Sequence, residues 1–245
     1  MTELLLLSNS TGPGRAFLEH ALDVVAELVP AGCRLLFVPF AASDHEGYTQ
    51  RMRAALAPIS VQVTGAHQAG DPIAAVAAAD AVFVGGGNSF RLLRALQDTG
   101  LGAAIVGRVR GGLPYLGSSA GTNMACPTLR TTNDMPIVQP ASFEALRLIP
   151  FQVNPHYLDP DPASTHQGET RQQRIEEFLE CNDVPVLGLR EGAWLRVRGT
   201  TAVTGGTTAS RLFTRQAAPR ELSPGSDVSE LLATRPRFDT GPAAG

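Results

Sequence analysis

The sequence predicts an α/β fold, a three-layer sandwich with a mostly parallel central sheet. Three observations carry that expectation. The 245 residues are 43% hydrophobic and 18% charged, enough to bury a full core. Short apolar runs alternate with longer amphipathic stretches through the first half, the pattern of strands joined by helical crossovers. Those runs lack in/out alternation, so both faces of the sheet are expected to be covered.

In chain order, the run at residues 4–7 is the first strand and 16–28 carries a helical pattern. A strand at 34–39, a helix around 48–56, a strand at 61–64 and an alanine-rich helix at 71–79 follow. Residues 81–84 form a strand, 89–96 and beyond a helix, and 113–116 a further strand. The second half turns to short strands near 151–153, 184–189, 193–197, 202–204 and 211–214, with one charged helix at 169–180. That half is expected to form the far edge of the same layered domain. From Gln216 onward Pro, Ala, Gly, Ser and scattered charge predominate, a composition that on its own predicts a loose tail. The expected organisation is a single α/β catalytic domain over 1–215 and an extension over 216–245 docked at a homodimer interface.

Composition excludes several classes of partner. A net charge of −3, 6% aromatic residues and the lack of a Lys/Arg cluster argue against nucleic acid. The start, MTELLLLSNS, has a short apolar run after an acidic residue and no basic leader, so it reads as a buried strand and not a signal peptide. No segment keeps the roughly 18 consecutive apolar residues of a membrane span. A cytoplasmic protein is expected. Cys33, Cys126 and Cys181 show neither C-x-x-C nor metal spacing, which suits buried free thiols in a reducing compartment. No H-x-H, H-E-x-x-H or Gly-Lys-Ser/Thr sequence occurs, and G-x-G-x-x-G fails at "GGGNSF" because Phe90 stands where the last glycine belongs. Neither metal nor cofactor is expected.

The stretch "GLPYLGSSAGTNMACP" holds the chemistry. A nucleophile at a sharp strand-to-helix turn needs small residues two before and two after it. Gly117 and Gly121 flank Ser119 in this way, whereas Leu116 and Ala120 flank Ser118. A serine hydroxyl needs a base, and the base a third group to orient it. Surface roles suit His20, His45, His67 and His166, but His156 in "FQVNPHY" leaves a short strand just after a proline, where an imidazole can be aimed. Asp134 in "RTTNDMP" and Glu191 in "GLREG" both sit in turns after apolar segments, and either could orient it. Asp134 is the preferred acid, which leaves the other carboxylate to bind a substrate α-amine. "VFVGGGNSF" ends a strand in glycines whose N–H groups can point outward. Gly86, Gly87 or Asn88 with Ala120 could then hold an oxyanion, with Gly87 and Ala120 the expected pair and Asn88 expected on the substrate. Cys126, about two helical turns beyond Ser119, is poorly placed as a rival nucleophile.

In this order, "LLLLSNST", "VGGGNSF", "GSSAGTNMACPT", "RTTNDMPIV", "NPHY", "GETRQQRI" and "GLREG" resemble the peptidase E family of cytoplasmic serine peptidases. The likeness covers nearly the whole chain to about Thr214. It implies a fold related to the class I glutamine amidotransferases and hydrolysis of dipeptides, and some tripeptides, with aspartate at the amino terminus. It implies Ser119 as nucleophile, His156 as base, an acid matching Asp134 or Glu191, and Arg171 of "GETR" toward the substrate's aspartyl carboxylate. A guanidinium fork suits that ligand, although without the resemblance Arg171 reads as a helix-surface residue pairing with Glu169 or Glu176. Two departures stand out. Ser118 replaces an aromatic residue common in the family, which implies a more open or polar pocket wall, and residues 216–245 run past the family's usual end. The alternatives are a cyanophycinase-like enzyme cleaving β-aspartyl-arginine and a silent binding module.

Overall fold

A computed structural model describes residues 1–241 apart from 13, 162, 164 and 166. The strands are β1 (Glu3–Leu7), β2 (Arg34–Val38), β3 (Gln62–Gly65), β4 (Ala81–Val84), β5 (Tyr115–Ser118), β6 (Gln152–Pro155), β7 (Val186–Leu189), β8 (Ala193–Arg198), β9 (Thr201–Gly206), β10 (Ser210–Phe213) and β11 (Arg220–Leu222). The α-helices are α1 (Leu22–Leu28), α2 (His45–Leu56), α3 (Pro72–Ala78), α4 (Ser89–Asp98), α5 (Leu101–Arg110), α6 (Ala120–Ala125) and α7 (Arg171–Cys181).

Seven strands form the main sheet in the order β3-β2-β4-β5-β1-β8-β9. The first five are parallel, and β8 and β9 extend the sheet antiparallel. The run of four leucines in β1 shows why alternation is missing. Leu4 and Leu6 enter one core with Val82, Val84 and the apolar faces of α4, α5 and α6, while Leu5 and Leu7 enter another with Phe37, Phe83, α1 and α2. Burial on both faces removes the need for polar residues at every second position. Helices on both faces of the sheet make the expected three layers.

Three features differ from the sequence reading. Leu18 takes a left-handed φ of 62°, so the helical pattern at 16–28 becomes a short 3-10 turn followed by α1. Gly100, at φ 71°, separates α4 from α5. The second half does not all join the main sheet: β11-β10-β7-β6 form a separate four-stranded sheet, packed through Val153, Leu187, Leu189 and Leu212 on the main core and through Val186 and Phe213 against Ile175 and Leu179 of α7.

The extension beyond Arg215 is held by its own chain. β11 pairs with β10, Val228 and Leu231 are buried in the main core, and Asp239 forms an ion pair with Arg130 at 2.7 Å. All of these contacts lie within the one chain. The three cysteines are free, but Cys181 at the end of α7 is exposed, unlike Cys33 and Cys126. Among the described residues no helix is long and apolar enough to cross a membrane.

Candidate active site

The parallel strands β1, β4 and β5 deliver Ser8, Gly85 and Ser119 to the same edge of the main sheet. Ser119, between β5 and α6, has φ 54° and ψ −111°. A side chain rarely adopts such a backbone, and it persists only where the surroundings over-determine it. Here they do. Ser119 N–H donates to Leu7 O at 3.1 Å, Thr122 Oγ1 donates to Leu7 O and Gly117 O at 2.7 and 3.0 Å, and Tyr115 Oη donates to Gly121 O at 2.6 Å. A Cβ on Gly117 would lie 2.6 Å from Gly121 O, and one on Gly121 would lie 2.0 Å from Val84 O. Both glycines of G-x-S-x-G are sterically required.

His156 leaves β6 with φ 53° and is pinned by its own N–H, which donates to Ser8 Oγ at 2.9 Å. Ser8 in turn donates to Leu189 O at 2.8 Å, so one hydroxyl ties the two sheets together beneath the imidazole. His156 Nε2 lies 2.9 Å from Ser119 Oγ, and its Nδ1 lies 2.9 Å from Glu191 Oε1. Glu191 occupies the β7–β8 turn, which Gly192 makes possible at φ 85° and which is fixed by Gly192 N–H donating to Asn9 Oδ1 at 2.8 Å. Its neighbour Arg190 forks onto Asp159 and Glu221, and those hydrogen bonds raise the Arg190 pKa and lower that of Asp159. The fork couples the segment after His156 to the residue before Glu191.

The preference for Asp134 over Glu191 is corrected by this geometry. Asp134 Oδ2 accepts from Ser89 N–H at 2.8 Å, Ser89 Oγ at 2.5 Å and Thr132 Oγ1 at 3.3 Å. It caps α4, where a carboxylate is favoured by the helix dipole, and does not contact His156. Asn88 caps α4: its Oδ1 accepts from Arg91 N–H and its Nδ2 donates to Met135 O, which leaves the side chain one further N–H and one further lone pair.

Of the backbone donors after β4, Gly86 N–H is spent on Tyr48 Oη at 2.8 Å and Asn88 N–H on Ala41 O at 2.9 Å. Among the described residues Gly87 N–H has no partner, nor does that of Ala120, at the first position of α6, where no intrahelical acceptor exists. Gly87 holds φ 132°, and a Cβ there would lie 2.5 Å from Ala41 O.

This constellation sits in a chain whose residues 4–205 match the model for Peptidase family S51. The chain belongs to peptidase family S51. It is similar to "Peptidase E" of Streptomyces coelicolor, 68% identical over 97% of this chain and 98% of that one. It is also similar to "Probable alpha-aspartyl dipeptidase" of Drosophila melanogaster, 48% identical over 94% of this chain and 97% of that one. The fold is that of a peptidase from an acI-B1 actinobacterium, with a TM-score of 0.67 at 17% identity over 93% of this chain and 96% of the other. The Streptomyces match reaches into residues beyond 215, so the extension is shared with that relative.

Three other sequence-read positions in this S51 chain are placed by the structure. Arg171, first residue of α7, pairs with neither Glu169 nor Glu176, which are occupied by Arg174 and Gln172. Burial, then Arg174, lower its pKa, while Asp134 opposes the shift. Among the described residues it makes no hydrogen bond, and it lines a cavity of about 470 Å³ with Asn133, Asp159, Glu169 and Arg174. Ser118, expected to widen a pocket wall, is fully buried with Oγ unpartnered, because the β5 pleat turns its side chain into the core beneath Ser119. Cys126 accepts from Val153 N–H, and burial pushes its thiol up to about 12, which removes it as a nucleophile.

His20 is half-buried, and burial lowers its pKa; His67 Nε2 lies 3.1 Å from Glu46, and His166 lies outside the described residues. Sequence reasoning missed Ser8, Asn9 and Tyr48 as supports of the site. Ser8 and Asn9 carried a usable signal: they are the first polar residues after a fully apolar strand, the place where loops meet ligands in parallel sheets.

Proposed function

We propose that this S51 peptidase hydrolyses dipeptides, and some tripeptides, that begin with aspartate. Ser119 is the nucleophile, His156 the base, Glu191 the acid that orients the imidazole, and Gly87 and Ala120 N–H the oxyanion donors. The observation that carries the reading is the line Ser119 Oγ, His156 Nε2, His156 Nδ1, Glu191 Oε1, with both contacts at 2.9 Å. Ser119 Oγ adds to the peptide carbonyl as its proton passes to His156 Nε2. The carbonyl oxygen becomes an anion held by the two N–H groups. Collapse expels the leaving amine, which takes the proton from His156. Water then adds to the acyl-serine ester with His156 again as base, releasing aspartate and restoring Ser119.

Arg171 supports the choice of aspartate. Its guanidinium lines the cavity, makes no hydrogen bond among the described residues, and is able to grip a side-chain carboxylate with two parallel hydrogen bonds. The neutral side chain of asparagine offers it one acceptor and no charge. Three free thiols, two of them buried, fit a cytoplasmic location.

The test is hydrolysis of Asp-Leu beside Asn-Leu, Glu-Leu and β-Asp-Arg by the wild-type and Ser119→Ala proteins. Cleavage confined to Asp-Leu and abolished in the variant is expected. Cleavage of β-Asp-Arg alone, or activity that survives the substitution, overturns the reading.

A further inference from the structure

The segment beyond Arg215 reaches the proposed catalytic line through one side chain. Arg190, the residue before Glu191, spends all five of its guanidinium N–H groups. Nε donates to Asp159 Oδ2 at 2.6 Å and Nη2 to Asp159 Oδ1 at 2.9 Å. Nη1 donates to Glu221 Oε1 at 2.6 Å and Nη2 to Glu221 Oε2 at 3.1 Å, and Nη1 also reaches Ala209 O at 3.0 Å. Two carboxylates thus grip the guanidinium edge-on, while its central carbon lies over the Tyr157 ring, 5.6 Å from the centroid. A planar fork held on two edges and one face has a single orientation left to it.

The small sheet brings these partners together. β11 pairs with β10 so that Glu221 stands opposite Arg211, and β10 pairs with β7 so that Arg211 stands opposite Gly188. Tyr157 packs over Gly188, where a Cβ would lie 2.9 Å from the Tyr157 Cγ. Arg190, two positions beyond Gly188, reaches back over this row. Arg211 Nη1 donates to Asp159 Oδ1 at 3.1 Å, so the cluster balances two cations with two carboxylates. Of its members, only Glu221 comes from beyond Arg215.

The acid proposed to orient His156 needs such a hold. The side chains of Glu191 and His156 are 48% and 40% exposed, and a solvated pair of this kind contributes little by itself to its own geometry. Their 2.9 Å contact has to be imposed by the backbone on either side. After Glu191, Gly192 N–H is fixed on Asn9, and Thr208 Oγ1 donates to Glu191 O at 2.8 Å. Before Glu191 stands Arg190, and its anchors Tyr157 and Asp159 follow His156 in the chain. Whatever fixes Arg190 therefore holds the His156 segment and Glu191 in one frame.

We propose that Glu221 is a positioning residue for Glu191: through Arg190 it maintains the contact between Glu191 and His156, and by it the segment beyond Arg215 contributes to turnover. This rests on the serine mechanism proposed above and deepens it.

The experiment compares the wild-type protein with Glu221→Gln, Glu191→Gln and the double variant. Two quantities are read: steady-state hydrolysis of Asp-Leu, and the low-field proton NMR signal of the His156 Nδ1–H bonded to Glu191, assigned by its loss in His156→Gln. Glutamine keeps one acceptor for Arg190 but loses the charge and the second prong. Glu221 is exposed, so the melting temperature is expected to stay within about 3 °C of wild type. In Glu221→Gln, kcat is expected to fall about 3- to 10-fold with KM changed by less than about twofold, and the His156 signal to broaden or move. In the Glu191→Gln background the same substitution is expected to change kcat by less than about 1.5-fold, since the contact it maintains is already lost. A fall of equal size in both backgrounds, a change in KM alone, or an unaltered kcat and signal overturns the inference. If Glu221→Gln is unstable, Glu221→Asp, which keeps the charge but is too short to fork, takes its place with the same expectations. Absence of Asp-Leu hydrolysis by the wild-type protein refutes the dipeptidase reading, and the His156 signal then decides by itself whether Glu221 governs the contact with Glu191.

Discussion

The two sides of the site are built on opposite principles. On the proposed reacting side, Ser119 Oγ, both ring nitrogens of His156 and Glu191 Oε1 are committed to one another, and three turns hold backbone angles that need close support. On the proposed recognition side, Arg171 and Asp134 Oδ1 have no hydrogen-bond partner among the described residues. Chemistry needs atoms placed to within a fraction of an ångström before substrate arrives. Recognition needs charges whose partners are absent until substrate arrives. Substitutions on the first side should therefore act on kcat, and those on the second on KM.

The largest expected effect is that of Ser119→Ala, a loss on the order of 10⁴ or more in kcat with an unchanged melting temperature, read by steady-state hydrolysis and calorimetry. Gly121→Ala should fail at the level of the fold. Its Cβ would sit 2.0 Å from Val84 O, where backbone must move on both sides, and a stability loss above about 3 kcal/mol is expected in urea unfolding. Arg171→Lys keeps the charge but loses the fork; KM for Asp-Leu should rise about tenfold with kcat changed by less than about threefold, and equal losses in both would erase the division between the two sides. Tyr48→Phe is the mildest. It strips the acceptor from Gly86 N–H in a buried setting, so a stability cost of about 1–3 kcal/mol and a several-fold fall in kcat are expected.

The same division explains what could be read from the sequence. The parallel strands were legible because each is an unbroken apolar run ending in a turn, as in β1 and β4. Ser119 was legible because close packing demands glycine at both 117 and 121, and steric demands leave marks in one-dimensional sequence. The choice between Asp134 and Glu191 left no such mark: both are acids in turns after apolar segments, and only the pairing of β6 with β7 brings Glu191 to His156. Ser118 misled because the pleat that exposes one residue buries the next. The segment after Arg215 looked loose because its anchors are few and scattered, with Val228, Leu231 and Asp239 separated by Pro, Gly and Ser.

In the proposed mechanism Glu191, not Asp134, orients His156. This role is tested most directly by kcat for Asp-Leu at saturating substrate in Glu191→Gln and Asp134→Asn, measured side by side. A fall of about 10²- to 10⁴-fold is expected for Glu191→Gln, because the amide no longer stabilises the imidazolium. For Asp134→Asn a kcat within about threefold of wild type is expected. A collapse of kcat in Asp134→Asn together with near-normal turnover in Glu191→Gln would contradict it.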